Sequence, residues 1–192
     1  MLRSIVRFVL PIAFVAAPAL APAQAAGAQG APAQTAPEVG QYAPDFTARW
    51  ADARGERQGP VTLSENRGKV VVLAFYPKDR SSGCTAQLTK FRDEYATLFG
   101  GDVLLLPVSV DDLATHADWS KEMSFPFALV SDPNLELARM YGSAMEGRPM
   151  AARTVFVIGK DGKITWREMR FNALSEKAYA DLAAAVKDAL AK

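Results

Sequence analysis

The sequence has very few of the side chains that build disulfides and metal sites. It contains one cysteine, Cys84, and one histidine, His116, in 192 residues. A single thiol cannot close an intramolecular disulfide, and one Cys with one His cannot supply a tetrahedral structural metal site. We therefore expect no metal ion and no other cofactor. His116 falls in a predicted helix, and we place it on the helix surface with a structural or neutral role.

The sequence also lacks an excess of charge of either sign and a long uninterrupted apolar run. Its 22 basic and 21 acidic residues give a formal net charge of +1, which predicts neither a nucleic-acid surface nor a polybasic membrane patch. The apolar run "FVLPIAFVAAPALA" is interrupted by Pro11 and Pro18 and is shorter than the about 20 residues that cross a membrane. We expect no stable membrane anchor in the mature protein.

The first residues are typical of a secretory signal peptide. Arg3 and Arg7 precede the apolar run, and the small-residue site "AQA" ends at Ala25. We expect residues 1–25 to be removed and the mature protein to be periplasmic, in a bacterium, or secreted. Residues 26–36, rich in Ala, Gly, Pro and Gln, are interpreted as a low-complexity linker, and residues 37–192 as one folded domain.

Hydrophobic periodicity predicts strands that alternate with helices. The run "KVVVLAFY" is typical of a central strand that is buried on both faces, and helical spacing then follows Cys84 as far as the Gly100-Gly101 pair. The other predicted elements are the strand "DVLLLPVSV", the helix "DLATHADWSKEM", the strand "FALVSD", the short helix "NLELARMYG", the hairpin "RTVFVIGKDGKITWREM" and a helix over residues 175–191. This order predicts an α/β domain with the thioredoxin-like fold, in which helices cover both faces of a central mixed sheet.

Cys84 is predicted to lie at the carboxyl end of a central strand and on the first turn of the next helix. Ligands and chemistry collect at such places in open α/β sheets, and the helix N-terminus stabilises a thiolate, the reactive form of cysteine. An exported protein needs its stabilising cysteines in pairs, so a leftover thiol indicates reactivity or intermolecular pairing. The alternative is a buried cysteine that acts as a small hydrophobe, but the polar neighbours in "RSSGCT" argue against an apolar burial site.

The segment "FYPKDRSSGCT" resembles the active-site segment of the peroxiredoxins, specifically the bacterioferritin comigratory protein or Q-type group. That pattern is Pro, three residues, Thr or Ser, two residues and then Cys, and Pro77, Ser81 and Cys84 match its spacing. The resemblance continues in order through "VSVDD", "FPFALVSDPN", "ARMYG" and "RTVFVIGKDGKI", and so covers nearly all of the predicted domain. It implies a thiol-dependent peroxidase that reduces hydrogen peroxide and organic hydroperoxides.

The resemblance implies a role for each matching residue. Cys84 would attack one peroxide oxygen and become a sulfenic acid. Ser81 would hold the peroxide and the thiolate with its hydroxyl, and Pro77 would shield the thiolate from water. Arg153 matches the family arginine whose charge stabilises the thiolate and polarises the peroxide. Without the family, Arg153 would be interpreted as a surface residue at a strand edge.

The chain departs from the family pattern at Ser82, Gln87 and Thr89. Many relatives have a resolving cysteine where Thr89 stands, and this sequence has no second cysteine anywhere. If the protein is a peroxidase, its sulfenic acid must therefore be reduced by an external thiol, either a thioredoxin-like protein or a small thiol. Relatives of this group are often monomers, and we expect a monomer here.

Two other functions remain open from the sequence. A thiol-disulfide oxidoreductase of the thioredoxin type would share the fold and the position of the cysteine. It needs a Cys-x-x-Cys motif, however, and Gln87 fills the second place, while Arg153 stands where the cis-proline of such proteins would be. A non-catalytic thioredoxin-like module for binding or redox sensing would tolerate the departures at Ser82, Gln87 and Thr89.

Overall fold

The computed structural model of the protein describes residues 35–192. The predicted signal peptide, residues 1–25, and nearly all of the predicted linker lie outside the described residues. The strands are β1 (Thr47–Ala48), β2 (Trp50–Asp52), β3 (Gly55–Glu56), β4 (Val61–Thr62), β5 (Val70–Phe75), β6 (Val103–Ser109), β7 (Leu129–Ser131), β8 (Thr154–Ile158) and β9 (Ile164–Glu168). The helices are α1 (Ser82–Asp93), α2 (Tyr95–Leu98), α3 (Leu113–Met123), α4 (Glu136–Met140) and α5 (Glu176–Leu190). No helix within residues 35–192 combines the length and the apolar character needed to cross a membrane.

A seven-stranded sheet runs through the domain in the order β3-β2-β7-β6-β5-β8-β9. The three inner strands β5, β6 and β7 are parallel, whereas β2, β8 and β9 join by antiparallel pairing. Strands β1 and β4 form a separate antiparallel pair. The mixed sheet confirms the predicted fold class, and the parallel strands bring the carboxyl ends of β5 and β6 to one edge, where α1 and α3 begin.

Strand β5 is the centre of the core, as predicted from its continuous apolar run. All 6 of its residues are buried. Side chains alternate between the two faces of a strand, and each face of β5 is covered by an apolar cluster. Val70, Val72 and Ala74 belong to a cluster with residues of α1, α2 and α5. The other three residues belong to a second cluster, which includes residues of α4. Helices therefore cover both faces of the sheet.

The predicted β8–β9 hairpin is confirmed, and its turn requires glycine at one position. Gly162 has a φ of +81°, a left-handed conformation that other residues rarely adopt. A Cβ atom at this position would also collide with the Arg67 guanidinium. The Asp161-Gly162 pair thus turns the chain where the sequence predicted it.

The helix after Cys84 is less continuous than its spacing predicts. Helix α1 ends at Asp93, and Glu94, with φ −108° and ψ 23°, separates it from α2. The bend allows the Tyr95 ring to stack on Phe127, with ring centroids 6.2 Å apart and planes 18° apart. The spacing of apolar residues predicted one continuous helix, but the structure has a break at Glu94, next to the packed ring of Tyr95.

Strands β1 to β4 were not predicted. Each of them is two or three residues long, which is too short for an alternating hydrophobic pattern to appear. Their pairing partners are distant in sequence or lie across tight turns, as with Trp50, which pairs with Val130. Strands β2 and β3 extend the seven-stranded sheet on the side away from β9, whereas β1 and β4 pair only with each other.

Candidate active site

The structure confirms the predicted position of Cys84 at a helix N-terminus. Strand β5 ends at Phe75, and Cys84 is the third residue of α1. Ser81 is the N-cap residue, with extended backbone angles of φ −70° and ψ 145°. Its carbonyl oxygen accepts the first helical hydrogen bond, from the Thr85 amide at 2.8 Å. The positive end of the helix dipole therefore faces the region of the thiol.

The sequence argument against burial of the cysteine is wrong. Cys84 has 0% exposure and belongs to the apolar cluster that contains Tyr76, Leu88 and Phe91. The polar residues of "RSSGCT" lie at the start of the helix, and Ser81 and Ser82 are exposed, whereas Cys84 itself is on the buried side. The thiol is therefore shielded from bulk water, and a small molecule has to lose its hydrating water to reach it.

Arg153 supplies the charged contact of this buried thiol. Its Nη2 atom lies 3.3 Å from the Cys84 Sγ atom. Arg153 immediately precedes β8, whose first residue Thr154 pairs with Phe75 at the end of β5. The antiparallel pairing of these two strands thus places the arginine beside α1. Arg153 is half-buried, and its guanidinium contacts Cys84 and Gln87 from the start of the strand.

Gln87 is a neighbour of Arg153 for which the sequence predicted no role in the site. It is fully buried, and its Oε1 atom accepts a hydrogen bond from the Arg153 Nη1 atom. Its Nε2 atom has no hydrogen-bond partner within residues 35–192. Residues three apart on a helix share a face, so its spacing from Cys84 was the signal that could have identified it. Gln87 fixes the guanidinium without adding a negative charge.

Gly83 makes room for the same guanidinium. A Cβ atom at position 83 would lie 3.1 Å from the Arg153 Nη2 atom. That distance is shorter than most carbon contacts in proteins, so the arginine would have to shift. The absence of a side chain at Gly83 therefore leaves room for Arg153 to approach Cys84.

Ser81 and Pro77 lie on the loop between β5 and α1, which precedes Cys84. The Ser81 hydroxyl is exposed and donates a hydrogen bond to the carbonyl oxygen of Lys78 at 3.0 Å. Pro77 is half-buried and directly follows the buried Tyr76. Ser81 is at the predicted place in the chain, but a contact with peroxide would require its hydroxyl to turn from Lys78 toward the helix N-terminus.

A buried tyrosine also lies within the electrostatic field of the arginine. Burial raises the pKa of Tyr179 to about 12, while the positive charges of Lys90 and Arg153 oppose that rise. The Tyr179 hydroxyl donates to the carbonyl oxygen of Ala173 at 2.8 Å. The Phe171 amide, from the same segment, donates to the carbonyl oxygen of Arg153 at 2.9 Å. The segment 171–179 therefore holds the backbone of Arg153, while its Phe171 and Tyr179 rings pack on Phe91 of α1.

His116 does not lie on the surface of its helix, which corrects the prediction. Its side chain has 0% exposure, and its Nδ1 atom lies 2.8 Å from the Asp79 Oδ2 atom. Helix α3 turns this residue toward the loop between β5 and α1, where Asp79 provides a polar partner that makes burial possible. The helical position of His116 was predictable, but a partner 37 residues away was not.

The fold and the site define a thioredoxin-like protein with a buried cysteine held between a helix N-terminus and an arginine. Residues 39–167 match the AhpC/TSA family. The chain is 31% identical over 144 residues to peroxiredoxin Bcp of Bacillus subtilis (strain 168), and this match covers 69% of this chain and 87% of that relative. It is 33% identical over 128 residues to a putative chloroplastic peroxiredoxin Q of Oryza sativa subsp. indica, covering 66% of this chain and 57% of the relative. The crystal structure of Enterococcus faecalis AhpC superposes with a TM-score of 0.69 at 25% identity, over 79% of this chain and 92% of that one.

These matches show that the chain belongs to the AhpC/TSA family and is a peroxiredoxin. It is therefore an enzyme of the thiol-dependent peroxidase class. Membership of this family favours the peroxidase over the other two functions that the sequence left open, disulfide exchange and a non-catalytic binding or sensing module.

Proposed function

We propose that the protein reduces hydrogen peroxide and organic hydroperoxides through a sulfenic acid on Cys84, and that an external thiol restores the enzyme. The observation that carries the proposal is the 3.3 Å contact between the Arg153 Nη2 atom and the Cys84 Sγ atom. A positive charge at that distance from a buried sulfur favours the thiolate over the thiol. The thiolate is the nucleophile that attacks peroxide.

The oxidation step balances as a nucleophilic displacement. The Cys84 thiolate attacks one oxygen of the peroxide, the oxygen–oxygen bond breaks, and the second oxygen leaves as water or an alcohol after it takes up a proton. Arg153 would stabilise the negative charge that moves from sulfur to the leaving oxygen. Ser81 would orient the peroxide with its hydroxyl, and Pro77 would keep water from the thiolate.

The reduction step needs a thiol from outside the chain, because the sequence has no other cysteine. The first external thiol displaces water from the sulfenic acid and forms a mixed disulfide, and a second thiol releases reduced Cys84 as an external disulfide forms. A sulfur with 0% exposure cannot be reached by a protein thiol, so the first turn of α1 has to open for this step. The proposal takes the protein to be a monomer that is exported from the cytoplasm of a bacterium.

Intact-mass spectrometry after addition of one equivalent of hydrogen peroxide tests the oxidation step. We expect a gain of one oxygen, its capture by a dimedone-type reagent at Cys84, and its reversal by a small thiol. Stopped-flow mixing provides the rate. Cys84→Ser is the matched control, since it removes the thiol and keeps a hydroxyl of similar size. An unchanged mass, with Cys84 still free to alkylate, would contradict the peroxidase mechanism.

A further inference from the structure

The side chain of Gln87 has one polar atom that makes no hydrogen bond. The side chain is 0% exposed, and its Oε1 atom accepts a hydrogen bond from the Arg153 Nη1 atom. A guanidinium can only donate hydrogen bonds, so the amide oxygen has to face it and the Nε2 atom cannot take that place. Nε2 is buried and has no partner within the described part of the chain. Its N–H groups are therefore free to bind an acceptor that residues 35–192 do not supply.

A buried donor without a partner is an exception in this domain. Among residues 35–192, the Ser120 Oγ atom is the only other buried side-chain nitrogen or oxygen that lacks a hydrogen bond. Such a donor destabilises the folded state, because it has lost its hydrogen bonds to water and gained none in return. An apolar side chain of similar size, such as methionine, would avoid this loss. An unsatisfied donor in a reactive site therefore indicates a partner that is bound only during the reaction.

Gln87 and Cys84 contact the same guanidinium. Arg153 directs its Nη1 atom to the amide and its Nη2 atom to the Cys84 Sγ atom, which lies at 3.3 Å. The two residues are three apart in α1, so they share one face of the helix. Both are 0% exposed, and bulk water reaches neither of them. Nε2 makes no hydrogen bond to the sulfur itself, which leaves it free for an atom that is added to the sulfur.

The oxygen that peroxide adds to Cys84 needs a donor of this kind. The Ser81 hydroxyl is exposed and donates to the carbonyl oxygen of Lys78, and the two Arg153 atoms above already contact Gln87 and the sulfur. The chain has no second cysteine, so a sulfenic acid has to persist until an external thiol reaches it. A donor fixed beside the sulfur would stabilise the sulfenic acid during this interval.

We propose that the Gln87 Nε2 atom donates a hydrogen bond to the oxygen of the Cys84 sulfenic acid and thereby slows its further oxidation. This inference rests on the proposed peroxidase function, which supplies that oxygen. In the further oxidation the sulfur of the sulfenic acid attacks a second peroxide and gains an oxygen, the oxygen–oxygen bond breaks, and the other oxygen leaves as water after it takes up a proton. A hydrogen bond to the sulfenic oxygen withdraws electron density from the sulfur and makes this attack slower.

Two substitutions of Gln87 remove the donor and affect Arg153 differently. Gln87→Met is neutral and offers the guanidinium no amide acceptor, whereas Gln87→Glu offers it a charged one. Gly83→Ala is the matched control, because its new Cβ atom would displace the guanidinium while Gln87 keeps its amide. Arg153 faces a leaving oxygen that gains negative charge in both oxidations. Displacement of Arg153 alone should therefore slow the two oxidations by similar factors.

The ratio of two rate constants measures the role of Nε2. Stopped-flow mixing and mass spectrometry give the rate constants for the first oxidation of Cys84 and for the step from sulfenic to sulfinic acid. We expect the ratio of the second to the first to rise at least about fivefold in both Gln87 variants, the equivalent of one hydrogen bond, and to keep its wild-type value in Gly83→Ala. Equal ratios in all four proteins would overturn the proposal. An equal rise in Gly83→Ala would also overturn it, since displacement of the arginine would then be sufficient.

Cys84→Asp tests the same donor without peroxide, because its carboxylate brings an oxygen to the place of the thiol, and Cys84→Ala is the control without that oxygen. In a chain labelled with 15N at the glutamine side-chain amides, Gln87→Met identifies the Gln87 signals by their loss. We expect these signals to move downfield in Cys84→Asp, relative to Cys84→Ala, and in the wild type after one equivalent of peroxide. Identical Gln87 signals in the two Cys84 variants would overturn the proposal. If Cys84 does not react with peroxide, the peroxidase proposal fails, while Cys84→Asp still decides whether Nε2 binds an oxygen at this position.

Discussion

The Arg153 Nη2 atom lies 3.3 Å from the Cys84 Sγ atom, although 69 residues separate the two in sequence. Antiparallel pairing of β5 with β8 creates this contact, because it sets Thr154 opposite Phe75 at the edge of the sheet where α1 begins. Gln87 and the absent side chain of Gly83 then determine where the guanidinium lies. The site therefore depends on one charge whose position several residues control.

Removal of the arginine charge should make the thiol harder to ionise and slower to react. We expect Arg153→Ala to shift the pH dependence of Cys84 alkylation to higher pH and to slow peroxide reduction about 10- to 100-fold, the equivalent of about 1.4 to 2.7 kcal/mol. Arg153→Lys should recover part of the rate, because it keeps the charge but loses the guanidinium fork. Identical alkylation profiles for the wild type and Arg153→Ala would contradict this role.

Replacement of Gln87 by glutamate should weaken the effect of the Arg153 charge on the thiolate, while the guanidinium stays close to its present position. A carboxylate beside the guanidinium would compensate its charge and repel the thiolate, so we expect Gln87→Glu to slow peroxide reduction about tenfold. Gln87→Met is the matched neutral control, since it removes the acceptor and adds no charge. The prediction fails if the glutamate variant reacts as fast as the wild type in stopped-flow measurements.

Alanine at position 83 should stabilise the helix and slow the enzyme. Replacement of a helical glycine by alanine stabilises by about 1 kcal/mol in an exposed setting, which should raise the urea midpoint unless contact strain cancels the gain. The new Cβ atom would meet Arg153 Nη2 at 3.1 Å, and displacement of the guanidinium should slow peroxide reduction about tenfold. Ser82→Ala, at the exposed neighbouring residue, is the control and should not slow the reaction.

The hydroxyl of Ser81 should matter more than the size of its side chain. We expect Ser81→Thr to remain active and Ser81→Ala to lose roughly 2 to 4 kcal/mol of transition-state stabilisation, by analogy with the deletion of an oxyanion-hole donor. The rate constant for hydrogen peroxide, from stopped-flow mixing, measures the difference. Equal rates for the wild type and Ser81→Ala would remove Ser81 from the mechanism.

A second cysteine at position 89 should convert the single-thiol cycle into one with an internal disulfide. Position 89 lies about 140° around the helix axis from Cys84, so the two sulfurs can meet only if the first turns of α1 unwind. We expect Thr89→Cys to form a disulfide after one equivalent of peroxide and to resist overoxidation, whereas excess peroxide should drive the wild type to sulfinic and sulfonic acids. Mass spectrometry distinguishes these products. A variant that overoxidises like the wild type would show that α1 does not open on this timescale.

Local patterns in the sequence were sufficient for much of the framework. The valine-rich run that became β5, the Asp161-Gly162 turn and the position of Cys84 on the first turn of α1 are all properties of short segments. Each depends on residue spacing or on backbone preferences within about ten residues. The match of Pro77 and Ser81 to the peroxiredoxin pattern is local in the same sense.

Only the tertiary structure decided what surrounds those segments. The polar neighbours of Cys84 argued against its burial, and no local pattern showed that Gln87 accepts a hydrogen bond from Arg153. His116 was predicted on the helix surface, whereas its side chain is buried and pairs with Asp79. The short strands β1 to β4 were likewise not predicted. All of these features depend on contacts between residues far apart in the chain. Periodicity and propensity report which side of an element is apolar, but sheet pairing and helix packing determine which polar groups meet there.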